Sequence, residues 1–229
     1  MNENTYLSNA EKIKLAAMNL FGVYGYGSTT VRMIAKEAGL SPGQIAVHFG
    51  SKEELFESIV NDAIKVSNDA TNPIWEKREK LIESGEYSRE WAWKLINQML
   101  CEFIDYCFDP YHRNCIMMVN VALPNSMIVA NAKRSFAETL SEKQERFLAQ
   151  LLEDYCGKKG CLKYRVISRA VNGAVVSFAE HNELLMSEVY SNREPEQALI
   201  YAKGHLKNFI LNSLQRIDSM EDITHVEKY

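Results

Sequence analysis

The stretch that decides the fold is Thr29 to Leu55, TTVRMIAKEAGLSPGQIAVHFGSKEEL. Its spacing predicts two short helices joined by a glycine turn, followed at once by the start of another. Thr29 or Thr30 caps the first, which buries Ile34, Ala35 and Ala38. Gly39 ends it, because the left-handed conformation that closes a helix suits glycine best. Ser41 is placed to cap the second, with Pro42 at its first position and Gln44 three residues after the cap. Ser51 and Glu54 form the Ser-x-x-Glu pattern of a capping box and open the next helix. Two short helices about one glycine turn make a helix-turn-helix, whose second helix enters the major groove of DNA.

Helical periodicity continues on both sides of this stretch, and no strand pair is expected. Upstream, Ser8 and Glu11 form another capping box. Ile13, Ala16, Ala17, Leu20 and Phe21 then recur at the spacing of one buried helix face. Gly22, Gly25 and Gly27 break that helix. Downstream, Asn72-Pro73, Asp109-Pro110 and Pro124 are expected to interrupt the chain. Helices are expected at roughly 74–84, 88–108, 110–123, 125–156, 162–190 and 195–217. Pro195 suits the first position of the last one. The fold class is therefore all-α. A small N-terminal helical domain (1–56) precedes a larger helical one (57–218), and residues 219–229 form a polar tail.

The composition of the 229 residues is that of a globular chain, 46% hydrophobic and 24% charged. Net charge is −4, and residues 1–57 hold five Lys/Arg against six Asp/Glu. The electrostatic footprint of a DNA-binding module is weak. The longest apolar run, Cys115 to Leu123, is interrupted by Asn120 and too short to span a bilayer, so no membrane partner is expected. Cysteines stand at 101, 107, 115, 156 and 161 without a CxxC pair, and are read as reduced cytosolic thiols. Cys156 and Cys161 flank Gly157-Lys158-Lys159-Gly160, where lysines can depress a thiol pKa; a redox-sensing regulator is the alternative this leaves open. His112 and Cys115 have no second pair of metal ligands nearby, so no metal is assigned. Phosphate-loop, Gly-x-Ser-x-Gly and His-Glu-x-x-His motifs are lacking, so no catalytic residue and no cofactor is assigned. A Cys/His enzyme assembled by folding and a protein-interaction adaptor are the readings from other classes.

For DNA, the first turn of the second helix presents Ser41, Pro42, Gly43 and Gln44. Glutamine can bond adenine through both ends of its amide, or it can serve the cap of its own helix. Thr29, Thr30 and Arg32 stand where a helix start favours a phosphate, and Lys52 stands in the first turn of the following helix.

The run Ile13, Ala16-Ala17, Leu20-Phe21, Gly25, Thr29-Thr30-Val31, Ile34-Ala35, Ala38-Gly39, Leu40-Ser41, Gly43, His48-Phe49, Ser51-Lys52-Glu53 and Leu55 resembles the DNA-binding domain of the TetR (tetracycline repressor) family. The resemblance implies a cytoplasmic, all-helical homodimer. Its N-terminal domain would bind a palindromic double-stranded operator, and its C-terminal domain a small effector that releases the DNA. His48 fits the family pattern and is implied to contact a phosphate. Ala46 departs from it: the family often has an aromatic residue there that packs on the DNA backbone.

Beyond residue 60 the resemblance is architectural. One late helix carries a stripe of Ile167, Ala170, Val171, Ala174, Val175 and Phe178. The other carries Leu199, Ala202, Leu206, Phe209, Ile210, Leu214 and Ile217. Such a pair forms the dimer interface in the resembled family; the alternative is that both stripes face the chain's own core. Seven of the 23 aromatic residues fall between Tyr87 and Tyr111. By the resemblance, Trp91, Phe103, Tyr106, Met117, Met118, Phe178 and His181 are candidates for an apolar effector pocket.

Overall fold

The computed structural model describes residues 7–123, 126–181 and 194–217, and no strand forms among them. In chain order the helices are α1 (Asn9–Tyr24), α2 (Val31–Glu37), α3 (Pro42–Phe49), α4 (Lys52–Glu83), α5 (Arg89–Phe108) and α6 (Pro110–Val121). Then come α7 (Met127–Phe136), a π-helical stretch (Ala137–Glu142), α8 (Lys143–Cys156), α9 (Leu162–Glu180) and α10 (Pro195–Gln215). The expected break at Pro124, the helix start at Asn125, the helix end near 190 and the polar tail lie outside the described residues.

Most of the expected cap chemistry forms, although Ser41 makes no side-chain cap on α3. Ser8 and Glu11 close a reciprocal capping box on α1. Thr30, rather than Thr29, caps α2, its oxygen accepting from the Met33 amide at 3.2 Å. Gly39 adopts φ +68°, and the Leu40 amide reaches back to the Ala35 carbonyl at 2.9 Å. That six-to-one bond closes α2 in a Schellman turn, which a β-carbon at Gly39 would strain. Asp109 caps α6 by accepting from the His112 amide at 3.0 Å, and Pro195 takes the first position of α10.

One expected boundary does not form. Asn72-Pro73 does not break the chain, since α4 runs 32 residues with Pro73 inside it. Its buried positions Ala63, Ser67, Thr71, Ile74, Arg78 and Leu81 keep one face continuous across the proline. Pro73 and Asp69 are both exposed, so the Asp69 carbonyl that proline leaves unbonded faces solvent. The long helix expected to end at Cys156 does end there, and its described part runs unbroken as α7, the π-helical stretch and α8. Phe136, Leu140, Gln144, Leu148 and Leu152 are buried at steps of four. In an α-helix each such step drifts about 40° around the axis, and the wider π turn takes up part of that drift.

The chain divides into two compact units. One contains Met1–Asp69 and Phe108–Glu142, the other Ala70–Cys107 and Lys143–Tyr229. In the first, Ile13, Ala17, Phe21, Ile34, Ile45, Leu55 and Phe56 are fully or nearly fully buried, and α1 also packs on α6. In the second, α8 lies along α9, and Leu151, Leu152, Val175 and Ala202 are buried. A polar cluster also closes within it. Asp154 accepts from Arg78 Nε at 2.7 Å, from the Tyr87 hydroxyl at 2.8 Å and from Gln150 Nε2 at 3.2 Å. The Arg78 and Asp154 side chains are only 11% and 9% accessible. Burial, with Asp154 accepting its proton, pushes the Tyr87 hydroxyl up from its ordinary value. Removing one member of a buried pair is strongly destabilising, and Arg78 would be left with the half-exposed Glu79, whose Oε1 lies 2.6 Å from its Nη1. Asp154→Ala is therefore expected to cost about 3–5 kcal/mol of stability, read from the midpoint shift in urea unfolding.

Candidate nucleic-acid interface

The loop between α1 and α2 is held from two sides. Thr29 is wholly buried, and its hydroxyl lies 3.1 Å from the Leu20 carbonyl and 2.9 Å from the Gly25 carbonyl. Lys52 Nζ donates to the Tyr26 and Thr29 carbonyls, each at 2.9 Å, and lies 4.2 Å from the Tyr26 ring centroid. Burial lowers the Lys52 pKa, and neighbouring Glu53 opposes that shift. The Tyr26 ring packs against Phe21 and Phe56 at 5.1 and 5.2 Å. One of the expected phosphate contacts therefore needs correction: Thr29 has no surface to offer a phosphate. The Lys52 ammonium gives two of its three protons to the loop.

The other expected DNA residues stand on accessible surface. Thr30 and Arg32 are exposed at the start of α2, and Ser41, Pro42 and Gly43 at the start of α3. Ser41 makes no side-chain cap. Gln44 serves no cap either: its Oε1 accepts from Asn9 Nδ2 at 3.0 Å, which ties α3 to the first residue of α1. An amide held by its oxygen points its NH₂ group in a set direction. Asn9 was missed in the sequence because it lies 35 positions away, and only folding brings it to α3. Ile45 turns inward, whereas Ala46, Val47 and His48 are exposed, Val47 at 83%. The helix thus has one buried anchor and one open face. Gly50 (φ +77°) lets α4 begin at once; a β-carbon there would stand 2.3 Å from Glu54 Oε2.

The residues expected at an effector pocket do not converge. Only Phe103 lines the apolar crevice of the second unit. Its walls are Met99, Leu100, Phe103, Leu148, Val171 and Leu214, and its polar groups are Gln144, Glu145, Ser168 and Asn172. Trp91 instead carries the ammonium groups of Lys77 and Lys94, each 4.8 Å from its ring centroid. Tyr106 is buried, Met117 and Met118 belong to α6 in the other unit, and Phe178 and His181 are exposed on α9.

The two late stripes divide in the same way. Val171, Leu206, Ile210 and Leu214 are buried within the chain, so as it stands they serve its own core. Ile167 is half-buried, while Ala170, Ala174, Phe178 and Phe209 are exposed, Phe209 at 70%. A helical stripe wide enough for two neighbours reads as one in sequence. Of the thiols, Cys107 and Cys115 are buried, and burial pushes Cys115 up to about 12. Cys101, Cys156 and Cys161 are half-buried, with no disulfide among the described residues.

Residues 13–59 match the model of the N-terminal domain of bacterial regulatory proteins of the tetR family. These residues thus carry a helix-turn-helix domain similar to that of the tetR family. It is 31% identical over 100 residues to the HTH-type transcriptional regulator LmrA of Bacillus subtilis, a stretch covering 43% of this chain and 50% of LmrA. It is 46% identical over 54 residues to the uncharacterised HTH-type regulator YuxN of the same organism, covering 22% of this chain and 19% of YuxN. The matched stretches thus span half or less of these two relatives. The ketosteroid transcriptional regulator KstR2 of Mycobacterium tuberculosis superposes with a TM-score of 0.60 at 15% identity, over 92% of this chain and 96% of its own. That likeness is one of fold, a helix-turn-helix followed by a larger helical region.

Lys52→Ala is expected to destabilise the protein by about 1–3 kcal/mol in urea unfolding, the range for a hydrogen-bonded charged group. The salt dependence of DNA binding by the folded variant should stay unchanged. A variant of unchanged stability but smaller salt slope would return Lys52 to a phosphate.

Proposed function

We propose that the protein is a ligand-responsive transcriptional regulator that binds double-stranded operator DNA. The observation that carries this reading is the accessible first turn and outer face of α3, with Gln44 oriented by Asn9. In this reading residues 1–56 bind DNA and 57–218 bind the effector and a second copy of the chain. Gln44 donates its NH₂ group to a base edge, and Ser41, Pro42 and Gly43 keep the helix start slim enough for the groove. Arg32, Thr30 and His48 contact phosphates. With few cations and Ala46 in place of an aromatic side chain, non-specific affinity is low, and selectivity rests on dimer geometry.

A homodimer suits a palindromic operator, because two-fold protein symmetry then matches that of the DNA. Supporting it, α9 leaves Leu162, Val166, Ala170, Ala174 and Phe178 exposed at steps of four, and α10 leaves Tyr201 and Phe209 exposed. Small residues between larger ones allow close helix approach. The effector is a small, largely apolar molecule seated in the crevice of the second unit, and its binding releases the DNA, as for a cytoplasmic repressor.

A gel-shift or anisotropy titration against candidate operators tests the reading, with binding expected to fall steeply with salt. Gln44→Ala should cost about 1–3 kcal/mol on the preferred operator and little on mismatched DNA. Arg32→Ala should weaken binding to all sequences alike and reduce the salt slope by about one. Unchanged DNA binding in both variants would sink the docking geometry. Phe209→Glu is expected to halve the mass seen by analytical ultracentrifugation and to weaken operator binding with it.

A further inference from the structure

We propose that the crevice lined by α5, α8, α9 and α10 takes a small unbranched aliphatic amine, its protonated nitrogen on Glu145 and Ser168. This deepens the effector site of the regulator reading and rests on it. The Glu145 side chain is 7% accessible, and only one of its oxygens has a protein partner, Arg169 Nε at 2.8 Å. Its other oxygen, Oε1, is buried without one. Ser168 is 1% exposed, and its hydroxyl oxygen is likewise without a protein partner. Both residues line the same crevice, on the two helices α8 and α9 that pack together.

A buried polar atom without a partner is costly, and native interiors keep few of them. An ionised carboxylate only accepts hydrogen bonds, so the occupant must bring donors. A protonated amine brings three, enough for Glu145 Oε1 and the Ser168 oxygen together, and its charge strengthens both bonds. A carboxylate or phosphate ligand would meet Glu145 with like charge. Arg169 does not change this balance, since its side chain is 67% accessible and covers only the other oxygen. The remaining walls are Met99, Leu100, Phe103, Leu148, Val171 and Leu214, which ask for hydrocarbon. The free space between its walls is only about 20 Å³, room for about one water, so seating a chain requires the walls to part and open the crevice. Met99, an adaptable side chain, can move to lengthen it.

The test uses the full-length protein with hexylamine, 1-hexanol and hexanoate at neutral pH, by calorimetry and thermal shift. Hexylamine should raise the melting temperature and bind at least about tenfold more tightly than hexanol, the effect of a charge-assisted bond. Hexanoate should not bind. Glu145→Gln should erase the preference for amine over alcohol, and Ser168→Ala should weaken the amine severalfold. If Glu145→Gln does not fold, the ranking of the three probes on the native chain and on Ser168→Ala still decides. Equal binding of hexylamine and hexanol, or no binding of either, would overturn the proposal and leave these atoms to an ordered water. Operator binding by the same preparation separates the two readings. Intact DNA binding with indifference to amines sinks only this inference, whereas amine binding without any DNA binding sinks the regulator.

Discussion

The N-terminal unit depends on one ammonium group. Lys52 Nζ sits between the Tyr26 and Thr29 carbonyls with the Tyr26 ring beside it. Both carbonyls belong to a loop with no helix or sheet to satisfy them, and backbone acceptors deprived of water need a donor. The Thr29 hydroxyl binds the same loop from its other side, to Leu20 and Gly25. With the loop pinned, Thr30 is held where it caps α2, and the Schellman turn after α2 directs the chain into α3. A module of nearly balanced charge thus commits one of its few cations to architecture. The proposed DNA contacts draw on what remains exposed, with Arg32 among the cations.

The second unit shows the same physics in two degrees of completion, both on α8. Asp154 has donors from Arg78, Tyr87 and Gln150, and it locks α4 to α8. Glu145, nine residues earlier, has Arg169 on one oxygen and no protein donor on the other. The first arrangement is a finished structural pair. The second is a half-satisfied acid against apolar walls, the setting in which a ligand with donors gains most. Two buried acids of one helix are distinguished by how many of their acceptor sites the fold fills.

Much of the fold was legible because it is local. The capping box of Ser8 and Glu11, the caps at Thr30 and Asp109, the stop at Gly39 and the start at Pro195 each involve residues within a turn of one another. Pro73 misled because its cost of about 3 kcal/mol is a local one, whereas the buried face running from Ala63 to Leu81 continues the helix across it. The candidate DNA surface was half legible. Residue type and position mark Gln44, Arg32 and His48, but the burial of Thr29 and the engagement of Lys52 depend on a loop whose path is set by distant aromatic packing.

By itself the sequence determined the helices of the N-terminal region, most of their caps and turns, and the family whose domain residues 13–59 match. These features rest on hydrogen bonds and apolar contacts three or four residues apart, which sequence spacing encodes directly. Only the tertiary structure decided which side chains are free to act. It buried Thr29, tied Lys52 to the loop beside it, gave Gln44 the partner Asn9, and turned Val171 and Leu214 from an outer stripe into crevice walls. It also brought Glu145 and Ser168 to one cavity. The reason is that burial and hydrogen-bond partnership are settled by neighbours from elsewhere in the chain, and no local period records which face of a helix they will cover.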